Sequence, residues 1–127
     1  MKTFLSILIC MIFCHIIDDY VLQAFCLNKL KQKSFWKENA PDELYKYDYI
    51  VALLVHGFSW SFMIQLPILL YYKFDISWNF FVLLFINICM HAFIDDQKAN
   101  RNTINLWYDQ TCHLCQIITA LIILLKI

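Results

Sequence analysis

Four long apolar runs dominate the chain and are separated by shorter polar segments. They fall at about residues 3–23, 48–72, 76–95 and 107–125. Each approaches the roughly 20 apolar residues that a helix needs to cross the hydrocarbon core of a bilayer. The runs are continuous instead of alternating, which favours helices over the strands of a membrane barrel. We therefore predict an all-α fold in which residues 1–127 form a single membrane domain, a four-helix transmembrane bundle.

The composition supports a membrane protein and argues against soluble, disordered and nucleic-acid-binding proteins. Hydrophobic residues make up 61% of the chain and charged residues 16%, whereas soluble domains average about 45–50% and about 25%. One glycine and two prolines leave little material for disordered or linker segments. Ten basic residues balance ten acidic ones, so the electrostatic footprint of a nucleic-acid-binding protein is missing. We expect the lipid bilayer as partner and no nucleic acid, and the oligomeric state stays open.

The one long connection, at about residues 28–47, is predicted to be a cytoplasmic loop. Residues 28–37 place leucine, phenylalanine and tryptophan among lysines, which predicts a short interfacial helix that extends the first span. The connections on this side carry seven lysines or arginines and the other side carries three. The positive-inside rule then puts both termini outside and the long loop in the cytoplasm. The first run could instead be a signal peptide, but it is long and no small-residue cleavage site follows.

The four histidines each fall in a different predicted span and at one depth. Ionisable groups inside a bilayer cost about 2.5–3.5 kcal/mol each on insertion scales, and they usually mark a functional site. At 1.5 Å per residue, all four lie about 9–12 Å from the cytoplasmic end of their spans. We predict that they face one shared pocket. These residues are His15, His56, His91 and His113.

Carboxylates accompany three of these histidines on the same helix faces. Asp19 and Asp95 each follow a histidine by four residues, and Asp109 precedes one by four. Imidazole nitrogen and carboxylate oxygen suit zinc, with manganese or iron as alternatives. A cation would also offset the cost of burying unpaired carboxylates, so we predict one or two divalent metal ions. The predicted metal ligands are His15, His56, His91, Asp109 and His113, and Asp19 and Asp95 are candidate general bases.

Several neighbouring residues allow other interpretations. Asp18 and Asp96 adjoin the candidate bases. Either could accept a hydrogen bond from a metal ligand or be solvated near the interface, and we favour solvation for both. Cys112 and Cys115 have the spacing of a redox or zinc half-site, but a single pair inside an apolar span is more typical of packing. Buried histidine–aspartate pairs that only hold the bundle together are the structural alternative to a metal site.

The order of these motifs resembles the small bacterial and phage membrane proteins grouped as domain of unknown function 3307. The resemblance covers about residues 13–117 and implies site positions, without a reaction. It adds Lys98 as a catalytic candidate and Gln23, Lys29 and Gln110 as residues that contact substrate or support the ligands. The matching elements are, in order, His15-x-x-x-Asp19-x-x-x-Gln23, Lys29, His56, His91-x-x-x-Asp95-x-x-Lys98 and Asp109-Gln110-x-x-His113.

The predicted function is that of a metal-dependent membrane hydrolase that acts on a lipid or amphiphile near the cytoplasmic leaflet. The metal would activate water, an aspartate would accept its proton, and Lys98 and Lys29 would hold an anionic group. A proton or divalent-metal transport component is one alternative, although polar residues are sparse in the outer halves of the spans. A haem-binding bundle and a non-enzymatic phage or host accessory protein are the others.

Overall fold

The computed structural model describes residues 2–24 and 26–125, and these fold into helices joined by turns, without a strand. The four long helices confirm the predicted all-α bundle, and each is long and apolar enough to cross a membrane. Two short helices and two 3₁₀ turns, Leu22–Ala24 and Glu43–Tyr45, lie between the first and second long helix. The helices are α1 (Lys2–Tyr20), α2 (Leu27–Leu30), α3 (Lys33–Asn39), α4 (Asp48–Tyr71), α5 (Trp78–Ala99) and α6 (Leu106–Leu125). The pattern is that of a multi-pass membrane protein.

Helix α4 is the centre of the bundle and packs against α1, α5 and α6. Its contact with α5 is close because Gly57 lacks a side chain. A Cβ atom on Gly57 would lie 2.9 Å from the carbonyl oxygen of Ile88, a separation that real Cβ atoms do not reach. The glycine therefore lets the backbones of α4 and α5 meet one residue after His56.

The interior of the bundle is divided into an apolar part and a polar part. The apolar part is built around Ile64, Ile117 and Leu121, which are fully buried. Large apolar side chains such as Phe13 and Phe85 cover the outside of the bundle and are mostly exposed, as expected of helices that face lipid. The polar part lies where α1 and α5 end and α4 and α6 begin, at the end of the bundle that α2 and α3 cover.

The short helix predicted after the first span is present, but as two helices that are not continuous with α1. Helix α1 ends at Tyr20, before the predicted boundary, and the segment that follows is broken into α2 and α3. The break lies at Gln32, whose backbone is extended. Asn100 stabilises it, since its amide donates to the carbonyl oxygen of Lys31 at 3.0 Å and accepts from the amide of Lys33 at 2.7 Å. The segment thereby folds back against α4. Lys126, which the orientation count used, lies outside the described residues.

Candidate metal centre

The structure brings the four predicted histidines together at the polar end of the bundle. Each of the four long helices supplies one imidazole, and all four side chains are buried. The ring of His91 stacks on that of His113 with centroids 4.3 Å apart and meets His56 edge-on at 4.8 Å. His15 approaches His113 at 5.7 Å. The depth argument from the sequence therefore identified residues that share one pocket.

On one side of this pocket, His56, His91 and Asp19 form a group with the spacing of metal ligands. The Nε2 atom of His56 lies 3.0 Å from Nε2 of His91 and 3.4 Å from Oδ1 of Asp19. Two ligand atoms on one tetrahedral zinc ion, each about 2.0–2.1 Å from the metal, lie about 3.3 Å apart. One ligand atom from each of the three residues falls within 4.8 Å of the others. The group therefore fits a metal ion without rearrangement of the backbone.

On the other side, His113 lies between two carboxylates. Its Nε2 atom is 3.7 Å from Oδ1 of Asp95 and 3.4 Å from Oδ1 of Asp109. His91, Asp95 and His113 form a second group of three whose ligand atoms lie within 4.8 Å of one another. Asp95 was predicted as a general base, but it lies among the ligands, with Oδ2 bound to a lysine at 2.6 Å. Its geometry therefore favours metal binding over proton transfer.

His15 was predicted as a metal ligand, and its hydrogen bonds give it a different role. The indole Nε1 of Trp60 donates to His15 Nδ1 at 2.8 Å. Because an indole nitrogen only donates, Nδ1 must be the acceptor, and Nε2 carries the proton that is donated to Gln110 Oε1 at 3.1 Å. Both ring nitrogens are thus occupied. This arrangement favours a hydrogen-bonded supporting role for His15 over metal binding.

The carboxylates of the pocket carry more negative charge than their protein partners neutralise. Two lysine side chains, Lys31 and Lys98, pair with two of four carboxylates. With neutral imidazoles, two negative charges remain, which matches one divalent cation. Asp19 Oδ1 and Asp109 Oδ1 are buried and have no hydrogen-bond partner among the described residues. Buried acceptors are nearly always satisfied, so both oxygens indicate a cation. The carboxylates are those of Asp18, Asp19, Asp95 and Asp109.

The expectation that Asp18 is solvated is wrong. Asp18 is 1% exposed and accepts a hydrogen bond from Ser59 Oγ. Its other oxygen lies 3.5 Å from Nδ1 of His56, the position from which a carboxylate orients a metal-ligating histidine. Asp18 is buried because α1 packs directly on α4, so the side chains of Asp18 and Asp19 both contact that helix. Asp96, in contrast, pairs with Arg101 at 2.9 Å near the surface.

Lys31 is the site residue that the sequence analysis missed, and Lys29 was predicted in its place. Lys29 is exposed on α2, whereas Lys31, two residues later, is buried. The Lys31 ammonium donates to Asp95 Oδ2 at 2.6 Å and to Gln23 Oε1 at 3.0 Å. Two residues correspond to about 200° around a helix, so the two side chains point apart. The four-residue spacing that runs from His15 to Gln23 reaches Lys31 when it is continued for two more steps. The sequence therefore did contain a signal for Lys31.

Replacing Lys31 by methionine is expected to destabilise the metal-free protein by about 3–5 kcal/mol, because Asp95 would remain as an unpaired buried carboxylate. Added zinc should recover part of this loss, since a cation can replace the ammonium charge. The measurement is unfolding in detergent with and without zinc. Lys29→Met is the control, and it should leave the unfolding midpoint unchanged. Equal midpoints for both variants would contradict the assignment of Lys31.

The remaining predicted residues line the edge of the pocket. The amide nitrogen of Gln23 lies 2.7 Å from His56 Nε2, where a cation would compete for the same lone pair. Lys98 Nζ and the Gln110 amide both donate to Asp109 Oδ2, at 2.6 and 3.1 Å. These two bonds leave Asp109 Oδ1 as the oxygen that faces His113.

Three further polar or aromatic residues on the outer side of the pocket were not predicted. Trp60 is fully buried, and its ring stacks on His91 at 4.2 Å. Gln116 lies 3.4 Å from His113 Nδ1 and also contacts Asn87 at 3.4 Å. Each is three or four residues from a site histidine on its own helix, so the spacing rule that found the aspartates would have found them too.

The cysteines stay outside the ligand groups of the described residues. All six are free thiols, and Cys112 and Cys115 are both exposed on the outside of α6. Their spacing follows from their place on a helix that faces lipid, in agreement with the packing interpretation.

Comparison with known proteins identifies a family and no activity. The model of a family described as "Protein of unknown function (DUF3307)" matches residues 7–127. No curated protein and no solved structure matches the chain.

Proposed function

Because the chain belongs to the DUF3307 family, whose function is unknown, we propose an activity from the site itself: metal-dependent hydrolysis of an ester bond in a lipid or amphiphile. The observation that carries the proposal is the convergence of three histidine Nε2 atoms on buried carboxylate oxygens, two of them without a hydrogen-bond partner among the described residues. Such a pocket is costly inside a membrane unless a cation fills it.

The donor set favours zinc, with manganese or iron as alternatives, because it combines imidazole nitrogen with carboxylate oxygen. We assign His56, His91, His113, Asp19, Asp95 and Asp109 to hold the metal. A divalent ion in this position would lower the pKa of water toward neutrality and polarise the carbonyl or phosphoryl oxygen of an ester. The protein residues supply the binding, the orientation and the acceptor for the proton.

In the proposed hydrolysis, water oxygen adds to the ester centre and the bond to the leaving oxygen breaks. The water proton passes to the second oxygen of Asp19. Asp19 then gives this proton to the leaving oxygen. Asp19 suits this role because its side chain is 10% exposed, against 5% for Asp95 and 1% for Asp109. Lys98, with 39% of its side chain exposed, lies at the pocket edge, where it could hold an anionic group.

An amphiphilic substrate near the cytoplasmic leaflet is supported by the surroundings of the pocket. A groove of about 360 Å³ lies between α2, α3 and α4 and is lined mainly by apolar side chains, including Leu27, Trp36 and Val55. Val55 directly precedes His56 in α4, so the groove and the pocket share the same part of this helix. We propose that an acyl chain occupies the groove. The excess of lysine and arginine around α2 and α3 supports a cytoplasmic position, with both termini outside.

The packing favours this proposal over the haem and transport alternatives. The rings of His91, Trp60 and His113 all pack against one another, with centroids 4.2, 4.3 and 5.1 Å apart, which leaves no slot for a macrocycle among them. Below the pocket, Ile64 and Ile117 are 0% exposed. Gln65 is the buried polar side chain beside them, but the buried ionisable side chains of the described residues all lie at the pocket end. A transport route would require such groups to continue across the bundle.

The proposal is tested by hydrolysis in vesicles that contain the purified protein. The probes are vesicles of phosphatidylethanolamine and phosphatidylglycerol, together with nitrophenyl butyrate and bis-nitrophenyl phosphate as soluble esters. We expect zinc or manganese to support ester cleavage of at least one probe, and chelation or His113→Ala to abolish it. Phe85→Ala, on the lipid-facing side of α5, is the control and should keep full activity. Cleavage that survives both chelation and His113→Ala would overturn the proposal, as would a purified protein that binds metal and cleaves none of the probes.

A further inference from the structure

We infer that the pocket holds two metal ions, with the carboxylate of Asp95 bridging them. This inference rests on the proposed metal site and specifies its nuclearity. The ligand atoms form two groups that share His91, one with Asp19 and His56 and one with Asp95 and His113. Six candidate ligands exceed the four that one tetrahedral ion takes.

The first ion would lie beside His56. The Nε2 atoms of His56 and His91 are 3.0 Å apart, and Oδ1 of Asp19 and Oδ2 of Asp95 lie 3.4 and 3.5 Å from His56 Nε2. The other three atoms thus all lie within 3.5 Å of His56 Nε2. His91 belongs to this ion, since its Nε2 is closer to His56 than to Asp95 Oδ1, at 3.9 Å.

The second ion would lie beside His113. Its Nε2 atom is 3.4 Å from Oδ1 of Asp109 and 3.7 Å from Oδ1 of Asp95. Three protein ligands leave a coordination position open for water or substrate, as in catalytic zinc sites. Each side thus holds one buried carboxylate oxygen that lacks a hydrogen-bond partner among the described residues, Asp19 Oδ1 on the first and Asp109 Oδ1 on the second.

Asp95 connects the two positions because its oxygens face different histidines. Oδ2 lies toward His56 and Oδ1 toward His113, as in a carboxylate bridge between ions about 3.5–4 Å apart. The charge of the pocket points to the substrate class. One divalent ion cancels the two uncompensated negative charges, so a second ion leaves a positive site that would bind an anionic ester, with phosphate as the matching headgroup chemistry.

The test uses the full-length protein, stripped of metal in detergent and reloaded with manganese. Manganese is counted by elemental analysis after gel filtration, and the electron paramagnetic resonance spectrum reports whether the ions are coupled. We expect two ions per chain and the spectrum of an exchange-coupled pair. Asp109→Asn should reduce the count to one ion and give the spectrum of isolated Mn²⁺. Asp96→Asn, which changes a carboxylate at the surface, should keep both ions and their coupling.

The number of metal ions bound per wild-type chain separates the two-metal inference from the proposed metal site, without relying on any variant. One isolated ion per chain would overturn the two-metal inference and leave the proposed metal site standing. No bound ion, with zinc as with manganese, would overturn both. Two ions without coupling would overturn the Asp95 bridge.

Discussion

Replacing His91 by alanine is expected to strip the purified protein of its metal. His91 is fully buried at the centre of the pocket and belongs to both groups of candidate ligands. Loss of a residue that only supports a ligand commonly lowers metal affinity about 10–100-fold, and loss of the ligand itself should exceed this. We expect less than a tenth of the wild-type metal after purification without chelator, measured by elemental analysis.

Met90→Ala is the matched control for this experiment, since Met90 is the neighbouring residue on α5 and its side chain is 48% exposed to lipid. It should retain the wild-type metal content. Gel filtration of both variants separates loss of metal from loss of the fold. A folded His91→Ala protein that keeps its metal would contradict the assigned ligand set.

Replacing Trp60 by alanine is expected to destabilise the bundle strongly. Trp60 is 0% exposed and connects the apolar part of the interior to the pocket, where its ring contacts His91 and His113. Removal of a buried large aromatic side chain costs about 3–5 kcal/mol in protein cores. The free energy of unfolding in mixed micelles measures the loss, and Trp78→Ala, with Trp78 76% exposed, should show little change.

Trp60→Phe separates packing from hydrogen bonding at the same position. A phenyl ring can still stack on His91, but it cannot donate to His15 Nδ1, which would leave a buried acceptor at a cost of about 1–3 kcal/mol. The structure therefore predicts an intermediate loss of stability for this variant. A Trp60→Phe protein as stable as the wild type would contradict the hydrogen-bonded role of His15.

Helix periodicity and membrane thickness were sufficient to predict the bundle. Apolar runs of the right length had to form helices, and the boundaries of α4 and α6 agree with the prediction within a residue or two. The same reasoning predicted a short helix over residues 28–37 but not the break at Gln32 that divides it into α2 and α3. The break there depends on Asn100, a partner about 70 positions away that no local pattern reveals.

The site was predictable as a set of residues, but their roles were not. The equal depth of the four histidines on their helices indicated the shared pocket. Depth alone could not show that both ring nitrogens of His15 would be hydrogen-bonded to protein groups. Those hydrogen bonds involve Trp60 and Gln110, which reach His15 from two other helices. Asp18 was misjudged for a similar reason, because its burial follows from the contact between α1 and α4.

X-ray absorption at the metal edge, on protein purified without chelator or reloaded with zinc, tests the central claim most directly. The account predicts nitrogen or oxygen neighbours at about 2.0–2.1 Å from the metal, with the outer-shell scattering of imidazole rings, three of which are shared among the bound ions. The rings are those of His56, His91 and His113. A metal surrounded by oxygen alone, without imidazole scattering, or protein that takes up no zinc at all, would show that this buried cluster is not a metal centre.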